Sequence, residues 1–196
     1  ENKLINSLSH RPKYKLNEIE KIADNILLFQ KTNGGWPKNF DMQAILTKEQ
    51  KDTINRAKEL TNTTFDNGAT HSQVEYLAKA YLATKIDSFK DGCLRGIDFM
   101  LAAQYPNGGW PQFYPDTSGY RKYITFNDGA MTGIMKVLQN IINHKPQYLF
   151  VDSTRYLKVR RAFDNGLECI LNCQIKQNGK LTVWDQQHDN IDFHPQ

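Results

Sequence analysis

Two aspartates, Asp66 and Asp128, lie in copies of one short motif, and that pairing is the first sign of chemistry in the chain. Thr64-Phe65-Asp66-Asn67-Gly68-Ala69 is echoed by Thr125-Phe126-Asn127-Asp128-Gly129-Ala130. Each copy precedes a helical pattern, where a lone carboxylate commonly caps free N–H groups. Recurrence inside a repeat argues for more than capping. Two carboxylates brought to one cleft could hold Ca²⁺ through oxygen ligands, or act as an acid/base pair on a glycosidic bond. The spacing leaves both open. Gln186-Gln187-His188-Asp189 forms a second polar cluster behind Trp184. His188 beside Asp189 reads either as a hydrogen-bonded imidazole or as a structural loop histidine. Lys38, Arg121 and Lys122 flank the repeated motifs and could meet an anionic ligand. His71 and His144 have no matching partners and read as surface or packing residues.

These residues need elements to position them, and a second repeat indicates which. Gln30-Lys31-Thr32-Asn33-Gly34-Gly35-Trp36-Pro37 returns as Gln104-Tyr105-Pro106-Asn107-Gly108-Gly109-Trp110-Pro111, with six of eight positions identical. A degraded third copy starts at Gln174-Ile175-Lys176-Gln177-Asn178-Gly179 and is followed by Trp184. Asn-Gly and Gly-Gly supply the positive φ that tight turns demand, and Pro prevents a helix from continuing. Trp is suited either to wedging a loop or to stacking on a sugar ring. Between the turns, apolar residues recur at spacings of three and four, which predicts helices over residues 16–29, 73–84, 92–104, 131–142 and 153–174. The unit is therefore helix, Asn-Gly-Gly-Trp-Pro turn, loop, acid/amide motif, helix. Such hairpins commonly close into an (α/α) toroid with their loops at one end, so the expected fold is all-α, a single domain over residues 1–196.

Composition narrows the function classes. At 39% hydrophobic and 23% charged residues, the chain suits a globular protein with a sizeable core, and no apolar run is long enough to span a bilayer. The net charge of +4 is mild and dispersed, which favours an acidic small molecule or polymer over nucleic acid. Cys93, Cys169 and Cys173 read as buried thiols, since a metal site would need further ligands nearby.

Taken together, the motifs Q-K-T-N-G-G-W-P-K-N, T-F-D-N-G-A-T, A-A-Q-Y-P-N-G-G-W-P-Q-F-Y-P, Y-R-K-Y-I-T-F-N-D-G-A-M and W-D-Q-Q-H-D resemble the family 10 pectate lyases. The likeness runs from Leu16 to Asp189. It implies an (α/α) toroid that cleaves polygalacturonate by anti β-elimination, with Ca²⁺ bridging protein and substrate carboxylates and an Arg as base. It further implies catalytic roles for Asp66 and Asn67, a metal-holding role for Asp128, and a substrate cleft lined by Lys38, Asn39, Lys122 and Tyr123. His188 and Asp189, in the late motif, join the substrate-binding set. The implied protein is a secreted or periplasmic monomer, with pectate as its partner and no nucleic acid or membrane.

In that family an Arg-containing segment follows Gln-His-Asp and supplies the base. This chain stops at Gln196, seven residues past Asp189, without another Arg. The expectation is thus an N-terminal portion of such a domain, or a truncated relative. Two other readings stand beside it: a protein that binds polygalacturonate without cleaving it, and a hydrolase using Asp66 and Asp128 as acid and base.

Overall fold

The computed structural model describes residues 12–196. Its first helix, α1 (Ile19–Phe29), buries Ile22, Ala23, Ile26 and Phe29, and ends where Gln30 turns to extended backbone. The connection that follows contains α2 (Lys48–Arg56), which the apolar periodicity did not predict. Only Ile54 of α2 is buried, so no apolar stripe marks it. Its signature is the capping box, in which Thr47 Oγ1 accepts from Gln50 N–H and the Gln50 side chain accepts from Thr47 N–H.

Helices α3 (His71–Thr84) and α4 (Asp87–Ala103) follow as a tight hairpin, with Lys85 left-handed (φ 62°) between them. Helix α5 (Ala130–Ile142) is the most apolar, burying Ile134, Met135, Val137, Leu138 and Ile141 along one side. Helix α6 (Ser153–Asn172) starts at Asp152, whose carboxylate accepts from Arg155 N–H. The α3–α4 and α5–α6 pairs pack closely; α3 also meets α1 and α5, and α4 meets α6. One continuous apolar core results, centred on Phe29, Trp36, Phe65, Phe99, Trp110 and Ile124.

The all-α toroid is not the architecture found. Among the described residues helices, 3₁₀ turns included, account for about 52%, and antiparallel strand pairs join the loops. Strand β1 (Ile124–Thr125) pairs with β4 (Gln187–His188), and β2 (Lys176–Gln177) with β3 (Lys180–Leu181). Single bridges link Thr64 to Phe113 and Pro111 to Ile124. These segments are only two residues long or less, too short to show a period of two, and the partners of β1 and of Thr64 lie far away in sequence.

Helix α6 also departs from the simple pattern. Its Leu157, Leu167 and Leu171 are exposed, although they belong to the apolar series that predicted the helix. Cys93, Cys169 and Cys173 are all buried free thiols. Burial pushes the Cys93 thiol well above its ordinary range.

Candidate functional site

The Asn-Gly-Gly-Trp-Pro turns form the frame. In the first, Lys31 N–H donates to Gly35 O (2.9 Å) and Gly34 N–H to Lys31 O (3.0 Å); in the second, Tyr105 N–H donates to Gly109 O (2.8 Å) and Gly108 N–H to Tyr105 O (2.9 Å). Asn33 and Asn107 each accept from the second glycine of their turn, at 3.0 and 3.1 Å. Gly34 and Gly108 adopt φ of 94° and 88°, and a Cβ there would sit 2.5 Å from Arg95 O and 2.0 Å from Asn165 O.

Both tryptophans are fully buried. Trp36 Nε1–H donates to Ile26 O (2.7 Å) and Trp110 Nε1–H to Met100 O (2.8 Å), in each case ten residues back on the preceding helix. Of the two roles the indole could play, the structure selects the wedge. The third copy diverges: Asn178 and Gly179, both at positive φ, make the two-residue turn between β2 and β3. Trp184, still bonded to Ile170 O (2.6 Å), is partly exposed.

The frame delivers the two acid/amide motifs to one place. Each forms a single 3₁₀ turn, Asp66–Gly68 and Asn127–Gly129, and the two turns pack against each other. Neither acid caps a helix. The N-caps of α3 and α5 are Thr70 and Gly129, and neither receives a side-chain cap bond.

The acids are also not equivalent, although each repeat carries one. In register, Asp66 matches Asn127 and Asn67 matches Asp128. The backbone follows this register: Asn67 (φ 51°) and Asp128 (φ 53°) are both left-handed, a conformation that Asn and Asp tolerate better than most residues. Asp66 is buried and Asp128 is exposed, so one position of the motif points inward and the next outward.

Around Asp66 the contacts are specific. Lys38 Nζ donates to Asp66 Oδ2 in a close ion pair. Asp66 Oδ1 is buried with no hydrogen-bond partner among the described residues, and so is Asn127 Oδ1 at the matching position. Asn67 Nδ2 donates to Asn39 Oδ1 (3.2 Å), and Asn127 Nδ2 to Asp128 Oδ2 (2.9 Å). The Lys38 ammonium also lies 5.4 Å from the centre of the Phe113 ring, and the Arg121 guanidinium 5.0 Å from it. Arg121 is ion-paired with Asp116. Lys122 lies over its neighbour Tyr123, and its carbonyl accepts from Tyr105 OH (2.9 Å).

The late polar cluster is tied to the second motif through the β1–β4 pair. Phe126 N–H donates to Gln186 O (2.8 Å), and Gln187 Nε2 donates to Thr125 Oγ1 (3.0 Å). His188 is fully buried. Its Nε2 accepts from Asp185 N–H (3.0 Å), so Nδ1 carries the proton and donates to Phe193 O (2.8 Å). With both nitrogens engaged, the ring braces a loop. Asp189 likewise spends Oδ1 on the N–H of Ile191 (2.8 Å).

Asp66, Asn67 and Asp128 thus sit on two adjoining turns, Lys38 and Asn39 bond to the first from the loop after Trp36, and residues 186–188 are tied to β1 and the start of the second motif. Sequence reasoning passed over Phe113, whose ring carries two cations, and Asn127, whose orphaned oxygen matches that of Asp66. The offset between T-F-D-N and T-F-N-D was the available signal for Asn127.

The site is a pair of acid and amide turns flanked by cations, set on helical hairpins. Comparison with known proteins gives the family. A family profile described as pectic acid lyase matches residues 30–196, and the chain belongs to that family. Among solved structures it is similar to a family 10 polysaccharide lyase from Cellvibrio cellulosa, at 29% identity and a TM-score of 0.75, covering 92% of this chain and 58% of that one. It is also similar to a mutant of a family 10 polysaccharide lyase from the same organism in complex with trigalacturonic acid, at 30% identity and a TM-score of 0.75, covering 90% of this chain and 56% of that one. The chain therefore spans a little over half the length of these relatives. No curated protein sequence matches it.

Proposed function

We propose that this protein is a secreted or periplasmic pectate lyase, monomeric, acting on polygalacturonate by Ca²⁺-assisted anti β-elimination to give unsaturated oligogalacturonides. The observation that carries this reading is the adjacency of the two acid/amide turns, which sets Asp66 with Lys38 beside Asn127 with Asp128. The trigalacturonic acid bound by one similar lyase supports an acidic-sugar substrate. Among the described residues no helix is long and apolar enough to cross a membrane.

The donor chemistry fits calcium. Asp66 Oδ1 and Asn127 Oδ1 are buried oxygens without partners among the described residues, and Asp128 presents an exposed carboxylate. Ca²⁺ prefers carboxylate and amide oxygens of this kind. Among the described residues no three His, Cys, Asp or Glu side chains cluster as a metal cage, so substrate carboxylate and water have places in the ligand set. Asp128 is the residue that would hold the ion, and the ion would act as a Lewis acid on the uronate carboxylate, where charge accumulates as the C5 proton leaves.

The chain's own residues prepare that event. Lys38 holds the buried Asp66 carboxylate in a fixed orientation, and Asn39 does the same for Asn67. Lys38 and Lys122 supply positive charge along the cleft, and the Tyr123 ring beside Lys122 offers an apolar face to sugar. His188 and Asp189 serve by locking the loop behind Asp128.

Hydrolysis by an acid/base pair fits the geometry less well, because the buried Asp66 is committed to Lys38 rather than presented to a glycosidic oxygen. Binding without cleavage has one observation in its favour. Arg121 is engaged with Asp116, and Arg155 is held by Asp98 and Asp152, so neither is poised as the base. One assay separates the readings: incubate the chain with polygalacturonate, with and without Ca²⁺, and follow the ultraviolet absorbance of the unsaturated product. Calcium-dependent absorbance is expected. Reducing ends without absorbance would mean hydrolysis, and retention on a pectate gel with neither signal would mean binding only.

A further inference from the structure

Lys58, on the loop after α2, closes the C-terminal end of α1 in a way that the lyase reading does not use. Its Nζ donates to Leu27 O (2.7 Å) and Gln30 O (2.8 Å), carbonyls left over where α1 ends. The same side chain is half-buried and lines an open cavity of about 310 Å³ with Leu27, Gln30, Lys31, Thr32 and Arg95. A lysine ammonium carries three N–H donors; the neutral amine carries two and a lone pair. Two carbonyls therefore satisfy the neutral form completely. They also fix both of its hydrogens, which leaves the lone pair the one remaining tetrahedral direction.

The surroundings favour that form. Burial, the largest cause, pushes Lys58 from its ordinary 10.5 down to about 8, and Lys31 and Arg95 add to it. The partial negative charge at the end of α1 acts the other way, and burial outweighs it. Lys31, on the turn after α1, donates from Nζ to Ala57 O (2.7 Å), and Arg95 of α4 donates from Nη2 to Gln30 Oε1 (2.7 Å). Glu59, next in the chain, accepts from the Thr32 hydroxyl (3.1 Å). Burial and the two carbonyls belong to Lys58 itself and do not depend on the charge of Lys31.

The repeated turn does not require an amine at this place. Gln30 Nε2 bridges Gly34 O and Gly92 O, and Gln104 Nε2 bridges Gly108 O and Ala162 O in the same manner. In the second unit Tyr105 follows the glutamine, its OH bonded to Lys122 O (2.9 Å). The glutamine latch is common to both units, while the amine seated on two helix-end carbonyls is a feature of the first.

We propose that Lys58 is a nucleophilic amine, separate from the paired acid/amide turns, and the modification site for a small aldehyde such as the open-chain end of a sugar. Buried lysines that lose their proton readily are suited to this chemistry. The lone pair attacks the aldehyde carbon, the two amine protons leave with the aldehyde oxygen as water, and a C=N bond joins Lys58 to the former aldehyde. An aldehyde needs neither a leaving group nor a further reactant. The cavity lies at the small end of ligand pockets, enough for one such unit. The site stands independently of the lyase reading.

Reductive labelling of the full chain tests it. Glycolaldehyde serves as the aldehyde, cyanoborohydride traps the imine as a secondary amine, and peptide mass mapping locates the label. At pH 7.5 Lys58 should be labelled roughly tenfold faster than the exposed Lys48 and Lys51 of α2. Far more of it is free amine at that pH, although each such amine is the weaker base. Its rate should climb with pH and level off above about 8. The advantage should vanish in urea, where burial and the two carbonyls are lost. Lys58→Arg keeps donors for both carbonyls, and should remove the fast label while Lys48 and Lys51 react as before. Labelling of Lys58 no faster than that of Lys48 and Lys51, or an advantage that survives in urea, overturns the assignment. Product absorbance from polygalacturonate reports on the lyase reading separately.

Discussion

Lys38 keeps Asp66 from being a stranded charge. The carboxylate is buried, one oxygen has the ammonium and the other has no partner among the described residues. Lys38→Met should therefore destabilise the protein by about 2–3 kcal/mol, the cost of leaving a buried charge without its partner. The midpoint of urea unfolding reads this directly, and a midpoint equal to wild type would show that the pair carries no such weight. Asp128 is the opposite case. It is exposed, so Asp128→Ala should change stability by less than about 0.5 kcal/mol while weakening Ca²⁺-dependent pectate binding. Unchanged binding on a calcium-containing pectate gel would remove its metal role. The residue types were legible in the sequence, and the repeat pointed to the two motifs meeting, as the two turns do. Their inequivalence was not, because an acid in each repeat looks symmetric until the register sets Asp66 against Asn127. Which of two adjacent side chains turns inward depends on the 3₁₀ turn, and that turn is held by packing against its copy.

At the scale of the element, the repeated turn is a rigid joint. Its glutamine bridges two carbonyls, its asparagine holds a glycine N–H, and its tryptophan reaches ten residues back to the helix it terminates. Gly108 makes the joint most sensitive, since positive φ and the Asn165 carbonyl both exclude a side chain. Gly108→Ala should lower stability by more than the roughly 1–2 kcal/mol that left-handed backbone costs an L-residue. It should also reduce substrate binding, because β1 and the Asn127–Gly129 turn follow from this joint. Thermal unfolding and pectate-gel retention measure the two effects, and a melting temperature within a degree of wild type would contradict the rigid joint. Five helices were readable from their apolar stripes. Helix α2 was not, having one buried residue, although its Thr-x-x-Gln capping box lay in plain sequence. The β1–β4 pair escaped because a pairing such as Thr125 with Gln187 is created by folding and has no local pattern, whereas the short β2–β3 hairpin carried a local signal in its Asn178-Gly179 turn.

At the scale of the whole molecule, α3 and α5 meet at a point that couples stability to pH. The His71 ring fills the space above Gly133, where a Cβ would come within 2.3 Å of it. Its Nε2 is buried without a partner among the described residues. Burial, partly offset by Glu75 and reinforced by Lys136, lowers the His71 pKa from its ordinary value of 6.5. A depressed folded pKa means that the unfolded chain binds the proton more readily. The stability that His71 contributes is thus full above pH 6.5 and is lost as pH falls through the lowered folded value. His71→Gln should flatten that part of the pH–stability profile. Urea midpoints measured between pH 7.5 and 4.5 decide this, and parallel profiles would rule the coupling out.

By itself the sequence determined the repeat, the helices that carry an apolar stripe, the turn chemistry and the residue types of the paired motifs, since all of these rest on local spacing and residue type. The tertiary structure decided the rest. It corrected the all-α toroid to helices cross-linked by short antiparallel pairs, placed the tryptophans in the core, buried His188 as a brace, and gave the two aspartates opposite exposures. Each of these depends on which surface meets which across distances of tens of residues. Burial, pairing and orphaned oxygens are properties of that meeting, and no local pattern in the chain encodes them.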